Sequence, residues 1–508
     1  MVVIYHRDYK VVAIEREGES IIFSAKNISK AIFEIASYFP NDLLIWCEIC
    51  LKPNINFSEI NDIFHHHKIM ASYSLSEKVF LSDLIGYVED SPFIKINKKV
   101  RYPTWLMSSD VGGIHASVLL VLKKDLSKSE NFDYFLNSLA KLAMFKGLFC
   151  YSEPALLIDV LENDDKHKKN NFLLFRFVKQ HYKIQWTFLL FANLFLYERK
   201  IVFLPFFLSL FHSKKVLSEN LLESIEVQST KRVLDNKTID VIIPTIGRKQ
   251  YLYDVLKDLS KQTHLPNKII IVEQNPQTDS VSELDYLSTE TWPFTIKHIF
   301  THQSGACNAR NLALEEVTSE WVFFNDDDIR FDEKLIENVF KKSVQYGTNA
   351  ITTVCLQPNQ IQYFNDTHQS GIFGSGYSFI KTNALAQIRF DMSLEFGYGE
   401  DTDFGCQLRN LGNDIIFFPD LKITHLKAPM GGFRIKIKKQ WEDDEIQPKP
   451  SPTIMYLKRK HFTDEQINSY KLIYFIKSIK NQSFIKWYSV YKTLQKGWES
   501  SIVWSKKI

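Results

Sequence analysis

At 508 residues, with 45% hydrophobic and 24% charged residues, the chain has the composition of a globular protein of two or three domains, which excludes wholesale disorder. A net charge of +3 is too small to argue for a nucleic-acid partner. Six cysteines in this length make no disulfide framework, and the opening MVVIYHRDYK has no apolar signal core, so a reducing, cytoplasmic setting is expected.

In chain order, residues 1–165 carry strand-like and helix-like runs and are expected to form an N-terminal α/β domain. Within it, LLIWCEIC (43–50) reads as one strand. Residues three apart on a strand face opposite ways, so Cys47 and Cys50 are predicted to be buried structural cysteines rather than a metal pair. His65, His66 and His67 follow the helical spacing of FSEINDIF and are expected to be a polar helix end. The runs WTFLLFANLFLY (186–197) and IVFLPFFLSLF (201–211) are strongly apolar, yet each is shorter than the roughly 20 residues that span a bilayer. Residues 166–237 are therefore predicted to be a helical apolar linker packed between domains, with membrane contact as the second reading.

From 238 the pattern becomes regular. TIDVIIPTIGR reads as a buried strand, and KQYLYDVLKDLSKQT as a helix with Leu252, Val255, Leu256 and Leu259 on one face. NKIIIVEQNP and FTIKHIF are further strands, and THQSGACNARNLALEEVTSE leads through a helix into the strand WVFFN. Strands alternating with helices indicate a mostly parallel α/β sheet, which binds ligands outside the carboxyl ends of its strands. Pro244 and Thr245, Glu273, and the triplet Asp326, Asp327 and Asp328 all fall at such ends.

The triplet is costly, because adjacent carboxylates repel unless something positive sits among them. Two carboxylates spaced i, i+2 on a loop can reach one divalent ion that takes its remaining ligands from a phosphate. A second acidic group, Glu400 and Asp401 in FGYGEDTDFGCQLRNLG, opens a predicted helix, and His425 follows the strand-like NDIIFFPDLKIT.

The order of DVIIPTIGR, GACNARNLAL, NDDDI and GEDTDF resembles the GT-A domain of inverting glycosyltransferase family 2, over roughly residues 238–430. The resemblance implies a GT-A fold, Rossmann-like with a mostly parallel sheet, over 238–435. It implies transfer of a sugar from a nucleotide-diphosphate donor, a UDP-sugar first among them, to a hydroxyl of a glycan or lipid-linked acceptor in bacterial surface polysaccharide synthesis. In the roles it implies, Asp326 and Asp328 with His425 would hold Mn²⁺ or Mg²⁺ on the donor diphosphate. Asp401 would be the base, kept ionised near a helix N-terminus, and Glu400 would orient the acceptor or the base. Pro244, Thr245, Asp326 and Asp327 would lie against the donor, and Arg248 and Arg310 would contact phosphate or nucleoside. Glu273 stands where the family commonly has aspartate and would accept a hydrogen bond from the nucleobase. Two other readings are a nucleotidyltransferase and a non-catalytic sugar-nucleotide or glycan-binding component of an assembly complex.

KAIFEIASYFPNDLLIWCEICLKPNINFSEINDIF (30–64) parallels RNLALEEVTSEWVFFNDDDIRFDEKLIENVF (310–340), and FDYFLNSLAKLAMFKGLFCYSEPALLI parallels GEDTDFGCQLRNLGNDIIFFPDLKITH. Residues 1–165 are thus read as a degenerate GT-A-like copy without metal, Glu-Asp pair or histidine. Residues 436–508 are predicted as a basic amphipathic helical region, since from Thr453 onward eleven Lys/Arg face three acids. Such a segment is suited to peripheral contact at the inner face of a cell membrane.

Overall fold

A computed structural model describes all residues except 77–79, 127–130, 160–169, 430–437 and 481. The chain forms two compact units, Met1–Lys231 with Phe462–Asn481, and Arg232–His461 with Gln482–Ile508.

Unit 1 contains strands β1 (Val2–Arg7), β2 (Lys10–Arg16), β3 (Glu19–Ser20), β4 (Leu43–Glu48), β5 (Ile69–Tyr73), β6 (Tyr102–Pro103), β7 (Val111–His115) and β8 (Phe149–Ser152). They form one sheet in the order β3-β2-β1-β4-β7-β5-β8-β6. Helices α1 (Ile28–Tyr38), α2 (Ile60–Ile63), α3 (Ala116–Leu122) and α4 (Phe132–Ala143) accompany it. The 166–237 stretch supplies α5 (Asn171–His181), α6 (Ile184–Leu196) and α7 (Phe203–Ser209). Phe175, Phe177, Val178, Leu190 and Leu194 of these helices join the same apolar core as Trp46 and Phe132.

Unit 2 begins with β9 (Ile239–Thr245), α8 (Lys249–Ser260), β10 (Lys268–Gln274), α9 (Tyr286–Thr289), β11 (Thr295–Thr301), α10 (Ala306–Glu315) and β12 (Trp321–Asn325). It continues with β13 (Ile329–Phe331), α11 (Leu335–Tyr346), β14 (Ala350–Leu356), β15 (His368–Gln369), β16 (Tyr377–Lys381), α12 (Glu400–Asn410) and β17 (Ile416–His425). The sheet order is β11-β10-β9-β12-β16-β14-β17-β13, with β15 added beside β17. Ile239, Val241, Ile242 and Ile243 of β9 are fully buried, as a central strand covered on both faces requires. The apolar stripe of α8, Leu252, Val255, Leu256 and Leu259, is buried as its spacing predicts. Unit 2 is the α/β GT-A-type domain expected. Its parallel register is confined to β11 through β12 and to the β14–β17 pair, because β16 enters antiparallel between β12 and β14.

The two units share a frame. In unit 1, β1–β4 is parallel, β4–β7 and β7–β5 are antiparallel, and β5–β8 is parallel. The series β9, β12, β16, β14 and β17 repeats this pattern in the same chain order. They part at one flank. Beyond β9 lie the parallel strands β10 and β11, whereas on that side β1 meets its antiparallel hairpin partner β2, and β2 the short β3. The hairpin turn is Asp8-Tyr9, both with positive φ, the backbone of a two-residue turn that ordinarily uses glycine at its second position.

Three expectations are corrected. Cys47 is buried, but Cys50 is exposed, because the strand ends at Glu48 and a 3-10 turn over Ile49–Asn54 follows. His65 and His66 lie past α2 and are buried, not a polar helix end. His65 Nδ1 meets Ser229 Oγ at 2.8 Å, and burial holds its pKa down to about 3. The basic C-terminal region is not one amphipathic segment. Its helix α13 (Pro452–His461) belongs to unit 2, α14 (Asp464–Ile479) to unit 1 and α15 (Trp487–Trp504) to unit 2. A capping box at Thr463 and Gln466 starts α14. Gln466 donates to the carbonyls of Glu89 and Ser91, and Ser469 to that of Tyr87. Trp498 is buried, and Trp504 Nε1 donates to Asp444 Oδ2 at 2.6 Å.

Helix α13 is fixed to α12 through Asp403, a buried carboxylate that meets His461 Nε2 at 2.6 Å and Lys460 Nζ at 2.8 Å. Burial pushes this carboxyl up, but His461 and Lys460 together outweigh it and hold its pKa below the ordinary value. A depressed pKa gives stability above the unfolded value that is lost as pH falls through the folded one. Asp403→Asn is expected to lower the unfolding free energy by about 3 kcal/mol at neutral pH, the low end for a buried pair because Lys460 is 33% exposed. Urea unfolding should show the deficit shrinking below about pH 4; a deficit independent of pH would reject the ion pair as its source.

Candidate active site

The carboxyl ends of β9 and β12, the N-termini of α10 and α12, and the end of β17 converge on one cleft of about 400 Å³. Pro244, Thr245, Arg248, Arg310, Asp326, Asp327, Asp328, Glu400 and His425 line it.

The aspartate triplet meets basic side chains from three separate elements, two arginines and a histidine. Asp327 is buried and accepts from Thr245 Oγ1 at 2.7 Å and from Arg248 Nη1 at 2.5 Å. Burial nevertheless pushes its pKa up to about 7, against the pull of Arg248 and Thr245. Asp328 meets Arg248 Nη1 at 3.2 Å and His425 Nε2 at 3.3 Å, and accepts from the Ala428 amide at 2.9 Å. Burial raises its pKa, but these partners more than reverse the effect. The hydrogen bond to Asp328 in turn raises the pKa of His425 above its ordinary value, against burial. Asp326, the most exposed of the three, accepts from Arg310 Nη2 at 3.1 Å. Gly376 lies against it so closely that a Cβ there would stand 2.1 Å from Asp326 Oδ2.

Glu400 and Asp401 are the first two residues of α12. Asp401 Oδ1 accepts from the Ser375 amide at 3.2 Å and from Ser375 Oγ. The helix N-terminus does not decide its ionisation. Burial raises its pKa, with Arg310 and Ser375 only partly offsetting the rise. Burial, then the charge of Asp401, lifts Glu400 to about 7.

Two expected site residues, Glu273 and Asp401, are not among those lining the cleft; Asp401 follows Glu400, which does line it. Successive strand residues face opposite ways; Gln274 lines the cleft, while Glu273 meets His298 Nε2 at 2.9 Å and accepts from the Glu283 amide. Several residues unmarked in the sequence complete the site. Glu395 accepts from the Cys307 and Asn308 amides at 3.1 and 2.7 Å, neutralising the N-terminus of α10. It approaches so near that a Cβ on Gly305, whose φ is +142°, would be 2.3 Å from its Oε2. Ser304 Oγ and Arg310 Nε are buried without a partner among the described residues, and both residues line the cleft.

Among the described residues no group of three or more His, Cys, Asp and Glu side chains is gathered into a metal cage. Asp326, Asp328 and His425 offer two hard oxygens and one imidazole along the cleft. That set fits a divalent cation drawing its remaining ligands from a diphosphate.

The frame places a second aspartate in unit 1 where Asp401 stands in unit 2. Asp133 is the second residue of α4 and accepts from the Ser109 amide at 2.7 Å and Ser109 Oγ at 3.0 Å. The amide of Glu48 bonds the Asp110 carbonyl as that of Asp326 bonds the Gly376 carbonyl, so Glu48, Ile49 and Cys50 take the place of the triplet. The sequence parallel missed this because it paired Phe132 with Gly399, one residue out of register. Asp133 is closed off, since its Oδ2 also accepts from Tyr9 OH at 2.7 Å.

Residues 240–397 match the family model Glycosyl transferase family 2, so unit 2 carries a family 2 glycosyltransferase domain. An uncharacterized glycosyltransferase of Rickettsia conorii is 31% identical over 107 residues, 21% of this chain and 17% of the relative. Glycosyltransferase GlyA of Streptococcus pneumoniae is 29% identical over 114 residues, 22% of this chain and 16% of the relative. The matched stretch thus spans about a sixth of these curated relatives. The crystal structure of S. aureus TarS 1–349 in complex with UDP-GlcNAc aligns over 52% of this chain and 73% of that one, at 15% identity and a TM-score of 0.34.

With its carboxylate saturated by Ser109 and Tyr9, Asp133 is expected to be structural. Asp133→Asn should cost about 1–3 kcal/mol of stability while leaving sugar transfer within about twofold of the parent, measured by thermal unfolding and turnover side by side. A loss of turnover as deep as that of Asp401→Asn would give unit 1 a catalytic part.

Proposed function

We propose that unit 2 is an inverting, cation-dependent glycosyltransferase that moves a sugar from a nucleotide-diphosphate donor to a hydroxyl of a glycan or lipid-linked acceptor. The observation that carries this reading is the meeting, in one cleft, of Glu400, the first of two carboxylates opening a helix, with an aspartate triplet matched by two arginines and a histidine, Asp401 standing next to Glu400.

The roles follow from the surroundings. Asp401 is the base: Ser375 fixes one carboxylate oxygen, and the raised pKa makes the other a stronger proton acceptor than a solvated aspartate. The acceptor hydroxyl gives its proton to Asp401 as its oxygen bonds the anomeric carbon. The bond from that carbon to the diphosphate oxygen breaks on the opposite face, and the diphosphate departs with the electron pair. Arg248 and Arg310, held by the triplet, face the developing charge, and the spare Arg310 Nε and Ser304 Oγ are free donors for its oxygens. Asp326, Asp328 and His425 would hold Mn²⁺ or Mg²⁺, which when bound supplies charge stabilisation of the leaving diphosphate. A UDP-sugar donor and a bacterial surface polysaccharide as product are the specific forms of this reading. Unit 1, whose described residues hold no counterpart of β10 and β11 and whose aspartate is capped by Tyr9, is read as a non-catalytic copy.

Asp401→Asn is expected to leave donor binding intact and to lower turnover by a factor on the order of 10² to 10⁴; donor affinity that collapses while turnover survives would make Asp401 a binding residue. Asp326→Ala with Asp328→Ala should abolish Mn²⁺-dependent UDP binding in calorimetry, and unchanged binding would sink the cation assignment. Because the base works deprotonated and burial raises the pKa of Asp401, kcat/KM should fall with decreasing pH at a higher pH than a solvated aspartate would give. An acid limb no higher than that of a free aspartate would contradict this assignment.

A further inference from the structure

We propose that α6, α7 and the turn after them form an interfacial surface through which unit 1 docks on an anionic lipid bilayer. A helix packed on a core normally turns a polar face outward. Helix α6 buries Thr187, Leu190, Asn193 and Leu194, spaced for one face, yet its far side shows Phe188 and Phe195 at 52% and 55% exposure. In α7 and the turn beyond it, Phe203, Leu204, Phe207 and Phe211 are 64%, 60%, 57% and 75% exposed. Their i, i+1, i+4, i+8 spacing puts them on one side, while Val202 and Ser209 are buried on the other. An outward face made of phenylalanine and leucine on two successive helices is more than the scattered apolar exposure of an ordinary surface.

The charge around this face selects the occupant. Between residues 171 and 218 there are seven Lys/Arg and one acid, Glu198, and Glu198 is held by Lys200 and Tyr87. Arg199 and Lys214, which bracket α7, are exposed. An apolar face between cations fits the acyl boundary beneath anionic headgroups. No helix among the described residues is long and apolar enough to cross a membrane, so the contact lies in the plane of the interface. The exposed Ile485, Tyr488 and Tyr491 of the C-terminal region offer unit 2 a smaller patch of related character.

The test uses the full chain with vesicles of phosphatidylserine and phosphatidylcholine, against vesicles of phosphatidylcholine alone. The parent is expected to sediment with the anionic vesicles at low salt and to be released by high salt. Phe203→Ser/Phe207→Ser/Phe211→Ser should weaken partitioning on the order of 10²-fold, with its thermal midpoint unchanged because all three rings are exposed. Three results would overturn the proposal. One is a parent that binds neither vesicle. A second is a triple variant that partitions like the parent, which would assign any binding to the C-terminal patch. The third is a parent dimer in sedimentation velocity that the triple variant dissociates without any vesicle binding, which would make a second copy the occupant.

Discussion

Everything in the active cleft depends on how three adjacent carboxylates at the end of β12 are neutralised. Each basic partner comes from a different element: Arg248 from the turn after β9, Arg310 from α10 and His425 from the end of β17. Repulsion within the triplet would splay the loop, and drawing these elements together offsets it. Asp327 is closed in by Thr245 and Arg248. All three line the cleft, and Asp326 is the most exposed. A similar device works at the other end of β9, where buried Asp240 accepts from the Thr318 and Ser319 amides and fixes the loop entering β12.

Unit 1 shows the same frame without that constraint. Its five central strands keep the order and directions of unit 2, yet Glu48, Ile49 and Cys50 replace the triplet, and the parallel strands beyond β9 have the antiparallel β2 and β3 in their place. What survives is the aspartate at the start of a helix held by a serine amide and hydroxyl, Asp133 with Ser109 matching Asp401 with Ser375. The positive φ of Tyr9, strained for a residue with a side chain, is tolerated where the phenol reaches Asp133. Fold and chemistry are therefore separable within one chain: the sheet frame persists while the groups that would use it are exchanged.

Much of unit 2 was legible in the sequence because its signals are local. The stripe of α8, the buried run of β9, the acids after β12 and the carboxylate pair opening α12 are patterns within about a dozen residues. What escaped is non-local or a matter of facing. Glu273 and Gln274 are adjacent, and only the pleat of β10 decides which one meets the cleft. Glu395 lies in a loop with no motif, yet it caps α10 from some ninety positions away. Ser375, the orienter of Asp401, is an ordinary serine until β16 is placed beside β12. The helices after Thr453 read as one basic tail because composition carries no record of which unit each helix packs on.

Arg310 makes the cleft a single electrostatic object. It is buried, it donates to Asp326, and its charge also offsets the burial of Asp401. Asp326 acts on Asp401 in the opposite direction, raising its pKa. Positive charge placed at Asp326 therefore removes a like-charge penalty from Asp401 and leaves Arg310 more fully to it, so both changes lower the pKa of Asp401. Asp401 is thus coupled, through one guanidinium, to the most exposed carboxylate of the triplet. The pKa of Asp401, raised by burial, falls as the opposite side of the cleft gains positive charge, an ordering that follows from Coulomb's law rather than from any movement of the chain.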